Sequence, residues 1–354
     1  MQDSKTKSNT KKILVIPAAG RSSRYPGNRP KWLLTHPHGR LMIEEVVSGL
    51  CLDDYDEAHI VILKEHCENY AADTKLKQVF GDKLRITILD EPTSSAPETV
   101  VRCIKLNNLE GTIVVKDCDG LVSFKMPKKN NFIVGLDIHS QNIKNITAKS
   151  FIQYDENNVI KNIVEKKVVS DLICLGVYAI PSQDILESYA ALASIATSEL
   201  YFSHIISYLL SSGQDFHLVL ADTFLDWGTA EEWREYTSNL RTYIFDIDGI
   251  FLENRGRYGI ETWENTFIPI DENIKVLKNL SNTGAEIIFI TSRTQDYLNQ
   301  FKDFLKVMNI KYKTIISGCN HNKRIIVNDF STTNPYPSCE ALNIPRNGSL
   351  GEYL

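Results

Sequence analysis

Two aspartates directly after an apolar run are the first residues of this chain that point to chemistry. Residues 112–115 predict a buried strand, and Asp117 and Asp119 follow its end, just before Gly120. Paired carboxylates at the end of a strand suit a hard cation such as Mg2+, which prefers oxygen ligands and nucleotide phosphates. An Asp-Gly pair is also common in solvated turns. The spacing alone leaves both interpretations open and favours the cation site.

A basic stretch near the start of the chain can hold the phosphates that such a cation accompanies. Residues 13–16 are apolar and predict a buried strand, and the small-residue turn Ala18-Ala19-Gly20 follows them. A strand that runs into such a turn presents backbone N–H groups to a phosphate. Arg21, Arg24, Arg29 and Lys31 come next and add the positive charge that a triphosphate requires.

The elements around these residues alternate between strand and helix. Apolar spacing predicts helices at 41–52, 66–80 and 99–106, and strands at 58–63 and 84–89. This alternation is typical of a mostly parallel α/β sheet, in which ligands lie outside the carboxyl ends of the strands. The basic stretch begins at such an end.

The order of strand, Ala18-Ala19-Gly20, Arg24 and Pro30-Lys31 resembles the signature of nucleotidyltransferases that join a nucleoside triphosphate to a sugar phosphate or a small phosphorylated alcohol. The resemblance implies a glycosyltransferase-A-like (GT-A-like) fold, with Arg24 and Lys31 as catalytic residues. It also implies a nucleotide-binding loop made of Ala18, Ala19, Gly20, Arg21, Ser22 and Ser23. The Ala-Ala-Gly turn resembles cytidylyl- and uridylyltransferases more than guanylyl enzymes, so CTP is the favoured nucleotide and UTP the next.

The turn-rich loop 91–99 is implied by the same resemblance to contact the base of the nucleotide. The residues concerned are Ser94, Ser95 and Glu98. The family often has a glycine in this loop, and this sequence has none. The spacing itself is explained equally well by a helix start with small residues, so that alternative stays open.

Four further residues of the first domain receive roles from the resemblance. The catalytic Mg2+ is implied to bind Asp119, with Asp117 as the second choice, and Asp226 resembles the second metal aspartate of the family. Lys166, in a Glu-Lys pair before a predicted strand, is implied to contact the phosphate of the acceptor. Without the resemblance, Lys166 would fit a solvated charge run as well. Beside Asp226, a capping box predicts the start of a helix, but that cap does not use the Asp226 carboxylate.

A second apolar run that ends in aspartates opens a second domain. Residues 242–245 run into Asp246-Ile-Asp248-Gly249, which resembles the first motif of haloacid-dehalogenase-like (HAD-like) phosphatases. The later motifs follow in order, namely a predicted strand 286–290 ending at Thr291, then Lys323, then a predicted strand 324–327 ending in Asn328 and Asp329.

The HAD-like resemblance implies a covalent phosphatase mechanism. Asp246 would attack phosphorus and form an aspartyl-phosphate. Asp248 would protonate the leaving group and then activate water. Thr291 and Lys323 would hold the phosphoryl oxygens, and Mg2+ would bind Asp246, the Asp248 carbonyl and Asp329.

Two departures from the HAD-like pattern leave the nucleophile in place. Ile250 stands where the family usually has Thr, and Asn328 stands where it often has a second acid. The short spacing between the motifs leaves no room for a large cap domain. A flap at 251–268 is predicted to cover the site, and the tail 334–354 is predicted either to wrap the domain or to serve a neighbouring subunit.

The predicted fold class is α/β, with two Rossmann-like three-layer domains. A disordered tail at 1–11 precedes a GT-A-like nucleotidyltransferase domain at 12–238, and a small uncapped HAD-like domain occupies 241–354. The chain has 354 residues, which is enough for two or three domains.

Composition narrows the class of protein. Hydrophobic residues make up 43% and charged residues 23%, as in ordinary globular domains. The net charge of −5 argues against a nucleic-acid partner, and no apolar run approaches the roughly 20 residues that span a bilayer. Seven scattered cysteines with no C-x-x-C pair favour neither a disulfide framework nor a zinc site. The expected location is the cytoplasm.

The leading interpretation is a bifunctional enzyme, a nucleotidyltransferase fused to a phosphatase, that makes a nucleotide-linked precursor of a surface or capsule polysaccharide. One alternative is a glycosyltransferase first domain, which would not need Arg24 with Pro30-Lys31. Another is a degenerate second domain that only drives formation of a homo-oligomer. The scattered histidines His36, His38 and His66 are interpreted as packed or solvated rather than as ligands.

Overall fold

The chain folds into two compact units. The computed structural model describes residues 10–21, 25, 29–141, 143, 145–256, 263, 267–329 and 339–354. Its contacts divide the chain into Met1–Arg234, here called unit 1, and Glu235–Leu354, called unit 2. Ser22, Ser23, Arg24 and part of the predicted flap lie outside the described residues. Within the described part of the chain, none of the helices has the length and apolar character needed to cross a membrane.

Unit 1 is built on a nine-stranded sheet with a separate strand pair beside it. The strands are β1 Lys12–Pro17, β2 Glu57–Leu63, β3 Arg85–Leu89, β4 Thr112–Lys116, β5 Gly120–Ser123, β6 Phe132–Asp137, β7 Ser150–Tyr154, β8 Ile160–Glu165, β9 Leu172–Pro181, β10 His217–Leu220 and β11 Thr223–Asp226. The path through the sheet is β10-β6-β9-β4-β1-β2-β3, with β7 and β8 attached through β9. Strands β1 to β4 run parallel, β9 runs antiparallel to β4 and β6, and β5 pairs with β11.

The helices of unit 1 differ in their bounds from those that the sequence predicts. They are α1 Met42–Ser48, α2 Lys64–Tyr70, α3 Ala72–Phe80, α4 Ala96–Asn107, α5 Ser182–Ala193, α6 Phe202–Ser211 and α7 Ala230–Ser238, of which the last crosses the boundary between the units. The single helix predicted at 66–80 is wrong, because Ala71 adopts a left-handed conformation at φ 51° and ends α2 before α3 begins. Left-handed backbone breaks a right-handed helix.

The predicted strands of the sheet are confirmed, and burial on both faces explains their continuous apolar runs. Successive residues of a strand point to opposite faces. Accordingly, Ile113 and Val115 of β4 belong to one buried cluster and Val114 to another. Val100 of α4 and Ile205 of α6 pack into the first cluster. The sheet is therefore a rigid base, and the polar residues that follow its strands are held in fixed places.

Unit 2 has a three-stranded parallel sheet in the order β12-β13-β14. Its elements are β12 Thr242–Phe245, β13 Glu286–Ile290, β14 Thr314–Ile316, α8 Asp271–Thr283 and α9 Asn299–Val307. The described end of the chain packs on this unit, as one predicted alternative held. Leu350 is buried in the core, and the fully buried Asn273 side chain donates to the carbonyls of Ile250 and Gly348 and accepts from the Leu350 N–H.

The strand predicted at 324–327 is wrong. Residues 323–329 have no regular secondary structure, and the Ile325 and Val327 side chains are 77% and 89% exposed. A short apolar run indicates a strand only if a partner and a buried face are available, and this segment obtains neither in the described residues. The fourth HAD-like motif therefore lacks the strand that was expected to position it.

Candidate active site

The small β5–β11 sheet brings two predicted metal aspartates together. In its register Gly120 lies opposite Asp226, so Asp119, one residue earlier, lies next to Asp226. The Trp227 N–H donates to the Asp119 carbonyl at 2.9 Å and closes the pair. These residues are more than a hundred positions apart in the sequence, and the strand pairing alone makes them neighbours.

Each of these carboxylates is met by a lysine. The Lys31 ammonium donates to Oδ2 of Asp119, and the Lys149 ammonium donates to Oδ2 of Asp226. All four side chains are mostly buried, with 14–18% of their surface exposed. The structure thus places Lys31 at the predicted acidic site and adds Lys149, which sequence reasoning missed.

The pairing of β7 with β8 explains how Lys149 could have been identified from the sequence. Ser150 at the start of β7 pairs with Glu165 at the end of β8, and the Lys166 N–H donates to the Lys149 carbonyl at 3.1 Å. Lys149 is therefore the cross-strand neighbour of the predicted residue Lys166. A correct pairing of the two predicted strands would have pointed to it.

Burial dominates the electrostatics of Asp226. Loss of water raises the pKa of this carboxyl above its ordinary value, against the opposing effect of the Lys149 ammonium, and the Glu232 and Asp119 carboxylates raise it further. Its Oδ1 accepts from the Gly228 N–H at 3.1 Å. Repulsion between neighbouring carboxylates is relieved by a cation, so this site favours positive charge.

A buried lysine, which sequence reasoning missed, supports residues 117–120, here called the acidic turn. Lys116 is 1% exposed, and its ammonium donates to the carbonyls of Asp117 at 2.6 Å and Gly120 at 2.8 Å. Burial lowers the pKa of Lys116, while the Asp117 and Asp119 carboxylates oppose that shift. The sequence feature that pointed to Lys116 is its position as the last residue of the apolar strand β4.

Asp117, the second choice as metal ligand, is oriented by a glycine. The Asp117 N–H donates to the Gly176 carbonyl at 2.9 Å. Gly176 has φ +68°, and a Cβ built there would lie 2.2 Å from Oδ2 of Asp117. The Asp117 carboxylate thus packs against β9 and is half-buried.

The opening loop is tied to both sides of this site. The Ala18 N–H donates to the Val61 carbonyl at 2.8 Å, and the Ala19 carbonyl accepts from the Thr93 N–H at 3.3 Å. The Tyr25 hydroxyl donates to backbone carbonyls of Trp227 and Thr229, just after Asp226. Of the residues predicted for this loop, Ser22, Ser23 and Arg24 lie outside the described part of the chain.

Gly20 and Arg21 are exposed at the end of β1. A Cβ on Gly20 would meet nothing within 4 Å, so the loop is open at this point. A pocket of about 170 Å3 lies beside them, lined also by Pro30, His66 and Tyr70. This open space adjoins Gly20 and Arg21, the described residues that follow the Ala18-Ala19 turn.

The residues predicted to contact the base also build the start of α4. Ser95 is the N-cap, and its hydroxyl accepts from the Glu98 N–H at 3.3 Å. The Glu98 carboxylate accepts from the N–H and the hydroxyl of Ser94 at 2.7 and 2.6 Å. The helix-start interpretation that the sequence left open is therefore present, and it uses the polar atoms of all three residues.

Lys166 lies at the end of β8 with φ +54° and faces an aromatic ring. Its ammonium donates to the Tyr201 hydroxyl at 2.7 Å and lies 4.2 Å from the centre of that ring. The preceding Glu165 accepts from the hydroxyls of Ser150 and Ser203 at 2.5 and 2.6 Å. Lys166 is thus anchored beside Lys149 through the hairpin backbone.

Two histidines that the sequence analysis interpreted as packed or solvated form a small group with a glutamate. Ligand atoms of His36, His38 and Glu45 lie within 4.8 Å of one another. His36 is buried, which lowers its pKa, and its Nδ1 accepts from the His38 N–H at 3.1 Å. That bond requires the proton of the neutral ring to be on Nε2, so neither ring nitrogen of His36 offers a lone pair to a metal in this arrangement.

In unit 2, the two motif aspartates follow β12 and are paired with arginines. Oδ2 of Asp246 accepts from Arg324 at 3.3 Å, and Asp248 is held by Nε and Nη2 of Arg293 at 3.0 and 2.6 Å. Burial raises the pKa of Asp246, while the nearby Arg324 opposes that shift. Arg293 follows β13, next to the motif residue Thr291, and sequence reasoning missed its role.

The remaining HAD-like residues are only partly brought together. Thr291 is fully buried at the end of β13, and its hydroxyl accepts from the Arg293 N–H at 3.1 Å. Lys323 and Asp329 are exposed in the segment that forms no strand. The sheet therefore positions Asp246, Asp248 and Thr291, while the fourth motif lies outside it.

Comparison with known proteins shows the fold of the chain. No protein-family model matches the chain, and no curated protein matches it. Among solved structures, a nucleoside-diphosphate-sugar pyrophosphorylase from Vibrio cholerae matches with a TM-score of 0.55 and 20% identity, covering 64% of this chain and 99% of its own. The inositol-1-phosphate CTP transferase from T. maritima matches with a TM-score of 0.50 and 12% identity, covering 63% of this chain and 91% of its own.

A third solved structure is similar to the same extent. A UDP-glucose pyrophosphorylase complexed with UDP-glucose matches with a TM-score of 0.51 and 16% identity, covering 65% of this chain and 98% of its own. Unit 1 has 234 of the 354 residues, or about 66%, which corresponds to the share covered. About two thirds of the chain therefore has the mixed α/β fold, with a large sheet, that these nucleotidyltransferase structures have. The fold class predicted for the first domain is confirmed.

Proposed function

We propose that unit 1 transfers a nucleotidyl group from a nucleoside triphosphate to a phosphorylated small molecule and releases pyrophosphate. The observation that carries this proposal is the convergence of Asp119, Asp226, Lys31 and Lys149 beside the opening loop of a nucleotidyltransferase fold. Acids that bind a cation and lysines that bind phosphates are the groups that such a transfer requires.

The reaction needs charge neutralisation more than a base. A phosphate oxygen of the acceptor attacks the α-phosphorus, and the bond to the bridging oxygen of pyrophosphate breaks. The attacking oxygen already carries negative charge, so catalysis depends on in-line positioning and on neutralising the crowded phosphates. Lys31, Lys149 and Lys166 supply that charge, together with Arg21 and Arg24 of the opening loop.

The acidic pair fits Mg2+. Asp119 and Asp226 offer hard carboxylate oxygens side by side, and burial raises the pKa of Asp226, with the Glu232 and Asp119 carboxylates raising it further. Both residues would hold the ion, which when bound would neutralise oxygens of the triphosphate. Asp117 is less suited, since its carboxylate packs against Gly176.

For the substrates, we propose CTP and a sugar phosphate or polyol phosphate. The Ala18-Ala19-Gly20 turn supports CTP over UTP. One solved structure of similar fold is an inositol-1-phosphate CTP transferase, which acts on a phosphorylated polyol. Such a product would serve as an activated precursor for a surface polysaccharide, and we place its synthesis in the cytoplasm.

The proposal is tested by screening four nucleoside triphosphates against a panel of phosphorylated sugars and polyols with Mg2+, with pyrophosphate release as the readout. We expect release with CTP and one acceptor class. The Asp119→Ala enzyme should lose at least two decades of rate, while Asp171→Asn, a change at an exposed carboxylate, should not. Absence of pyrophosphate release with every pair would refute the proposal.

Unit 2 supports a second activity, a phosphatase that acts on a different phosphate of the same pathway. Asp246 follows a parallel strand, and Asp248 and Thr291, two further residues that an aspartyl-phosphate mechanism would use, follow the same or the neighbouring strand. A phosphatase that removed the only phosphate of the acceptor would destroy the substrate of unit 1. We therefore expect it to spare the monophosphate acceptor and to act on a bisphosphate precursor or a downstream product.

The phosphatase is tested by phosphate release from a panel of sugar and polyol phosphates with wild type and Asp246→Asn. Loss of release in the variant, with the monophosphate acceptor spared by wild type, supports the assignment. Rapid hydrolysis of that acceptor would exclude the proposed pathway order. Identical background release by both proteins would instead favour a unit 2 that serves only in oligomer formation.

A further inference from the structure

We propose that Lys31 and Lys149 compete with the divalent cation for the Asp119 and Asp226 carboxylates, so that binding of the cation and binding of the triphosphate favour each other. The inference rests on the proposed function for the identity of the anionic ligand. It concerns the order and coupling of binding, which the fold does not specify.

The first support is the matching of charges. Two carboxylates, Asp119 and Asp226, face two ammoniums, Lys31 and Lys149, so the charges of these four side chains balance. Each carboxylate gives its Oδ2 atom to a lysine, and the second oxygen of Asp226 accepts from the Gly228 N–H. A divalent cation that uses these Oδ2 atoms must therefore displace both ammoniums.

The second support is the difference in mobility between the acids and the lysines. Asp119 is in a turn that the buried Lys116 pins through two backbone carbonyls, and Asp226 is in the paired strand β11. Lys31 and Lys149 carry their charge at the end of a flexible four-carbon stem. When a cation enters, the carboxylates stay in place and the ammoniums move.

The displaced ammoniums need new partners. An unpaired ammonium in a mostly buried place is unfavourable, and both lysines have only 14–18% of their side chains exposed. Triphosphate oxygens give them those partners. The cation alone must break two ion pairs without compensation, and the triphosphate alone leaves two carboxylates unpaired. Each ligand therefore favours the other, by the same factor in both directions.

The test is direct binding of Mn2+, followed by electron paramagnetic resonance without any nucleotide. In Lys149→Met one ammonium no longer competes, so Mn2+ should bind about tenfold tighter or more, which corresponds to about 1.4 kcal/mol. Lys149→Gln should behave in the same way and guards against a folding defect of the first variant. The control is Lys161→Met, which removes an exposed ion pair to Asp155 at the other end of the same hairpin and should leave Mn2+ binding unchanged.

The second arm measures coupling by calorimetry with CTP. In wild type, CTP should bind weakly with a chelator present and much more tightly with Mn2+, and this ratio should shrink in Lys149→Met. Mn2+ binding that is equal or weaker in both Lys149 variants than in wild type would overturn the inference. The metal arm uses no nucleotide, so its result stands apart from the proposed function, whose own failure would appear as absent pyrophosphate release.

Discussion

Both units place two aspartates near the ends of strands but give them different partners. In unit 1, Asp119 and Asp226 are paired with lysines. In unit 2, Asp248 is held by two nitrogens of Arg293, a side chain that is only 3% exposed. A lysine is a flexible point charge, whereas an arginine grips a carboxylate with a planar fork.

This difference indicates how each site changes when a ligand arrives. The lysines of unit 1 can move from a carboxylate to a phosphate without a change in the backbone. The Arg293 fork fixes the Asp248 carboxylate, and the predicted acid–base role of Asp248 requires that fork to release it. Unit 1 is thus arranged for exchange of partners, while unit 2 holds its second aspartate in a structural pair.

The largest effect on rate is expected from removing Lys31, the lysine that pairs with Asp119. Lys31→Met should lower the rate of pyrophosphate release by about two to three decades, because a charge that stabilises the phosphates in the transition state is lost. The free energy of unfolding should fall by about 1–2 kcal/mol, because the mostly buried Asp119 carboxylate loses one partner while the Lys116 ammonium remains near it. Rate assays and urea unfolding measure the two quantities. A variant that unfolds easily and keeps its rate would erase the contrast between the units.

In unit 2, removing the arginine partner of Asp248 is expected to lower stability. Arg293→Met leaves the mostly buried Asp248 carboxylate without its fork and should destabilise unit 2 by about 3 kcal/mol. Hydrogen exchange of the β12 and β13 amides localises the loss to this unit. The matched change Lys313→Met breaks an exposed pair with Glu286 and should leave exchange unaffected. Equal behaviour of both variants would show that the Arg293 pair is not structural.

The buried, neutral His66 of unit 1 can be compared with the charged Asp248–Arg293 pair of unit 2. Burial lowers the pKa of His66 to about 4 from 6.5, and its Nδ1 accepts from the Leu63 N–H at 3.3 Å. Between these values the unfolded chain binds more protons than the native one, so stability is complete above about pH 6.5 and falls toward pH 4. The loss should reach about 2–3 kcal/mol.

The control for this pH effect keeps the hydrogen bond. In His66→Gln, the amide can still accept from Leu63 as at the third position of a capping box, and the extra loss of stability below pH 6.5 should disappear. His139→Gln, at an exposed histidine, should retain it. Thermal unfolding between pH 4 and 7.5 measures the difference, and parallel curves for wild type and His66→Gln would refute the assignment.

The smallest effect tests how tightly the acidic turn of unit 1 is packed. Gly176→Ala places a Cβ 2.2 Å from Oδ2 of Asp117 at a left-handed φ, so we expect a loss of about 1–2 kcal/mol. Gly213→Ala has a similar φ of +84° with nothing within 4 Å and isolates the backbone cost. Urea unfolding of the two variants gives the difference. Equal losses would mean that Asp117 moves aside freely.

Features set by a local sequence pattern were predictable, whereas features that depend on pairing between residues far apart in the sequence were not. Continuous apolar runs were enough for the strands of the large sheet, because burial on both faces leaves a local pattern. The partners of Asp226 were not predictable in the same way. They depend on the register of β5 with β11 and of β7 with β8, which joins distant residues.

Two local patterns had more than one structural outcome. The small residues Ser94 and Ser95 predicted either a base contact or a helix start, and the helix start is present in the structure. The apolar run 324–327 predicted a strand, yet it lies exposed without a sheet partner. In both cases the sequence pattern reports what a segment can do, and tertiary contacts decide what it does.

The central claim is that unit 1 transfers a nucleotidyl group at the Asp119 and Asp226 carboxylates. Its most direct measurement follows the label of [α-32P]CTP with Mg2+ and a phosphorylated acceptor, in wild type and in Asp226→Asn. The account predicts that the label joins the acceptor, with one pyrophosphate released per product, and that the variant does neither. Release of nucleotide from a nucleotide sugar without pyrophosphate, as in a glycosyltransferase, or transfer that survives in Asp226→Asn, would contradict it.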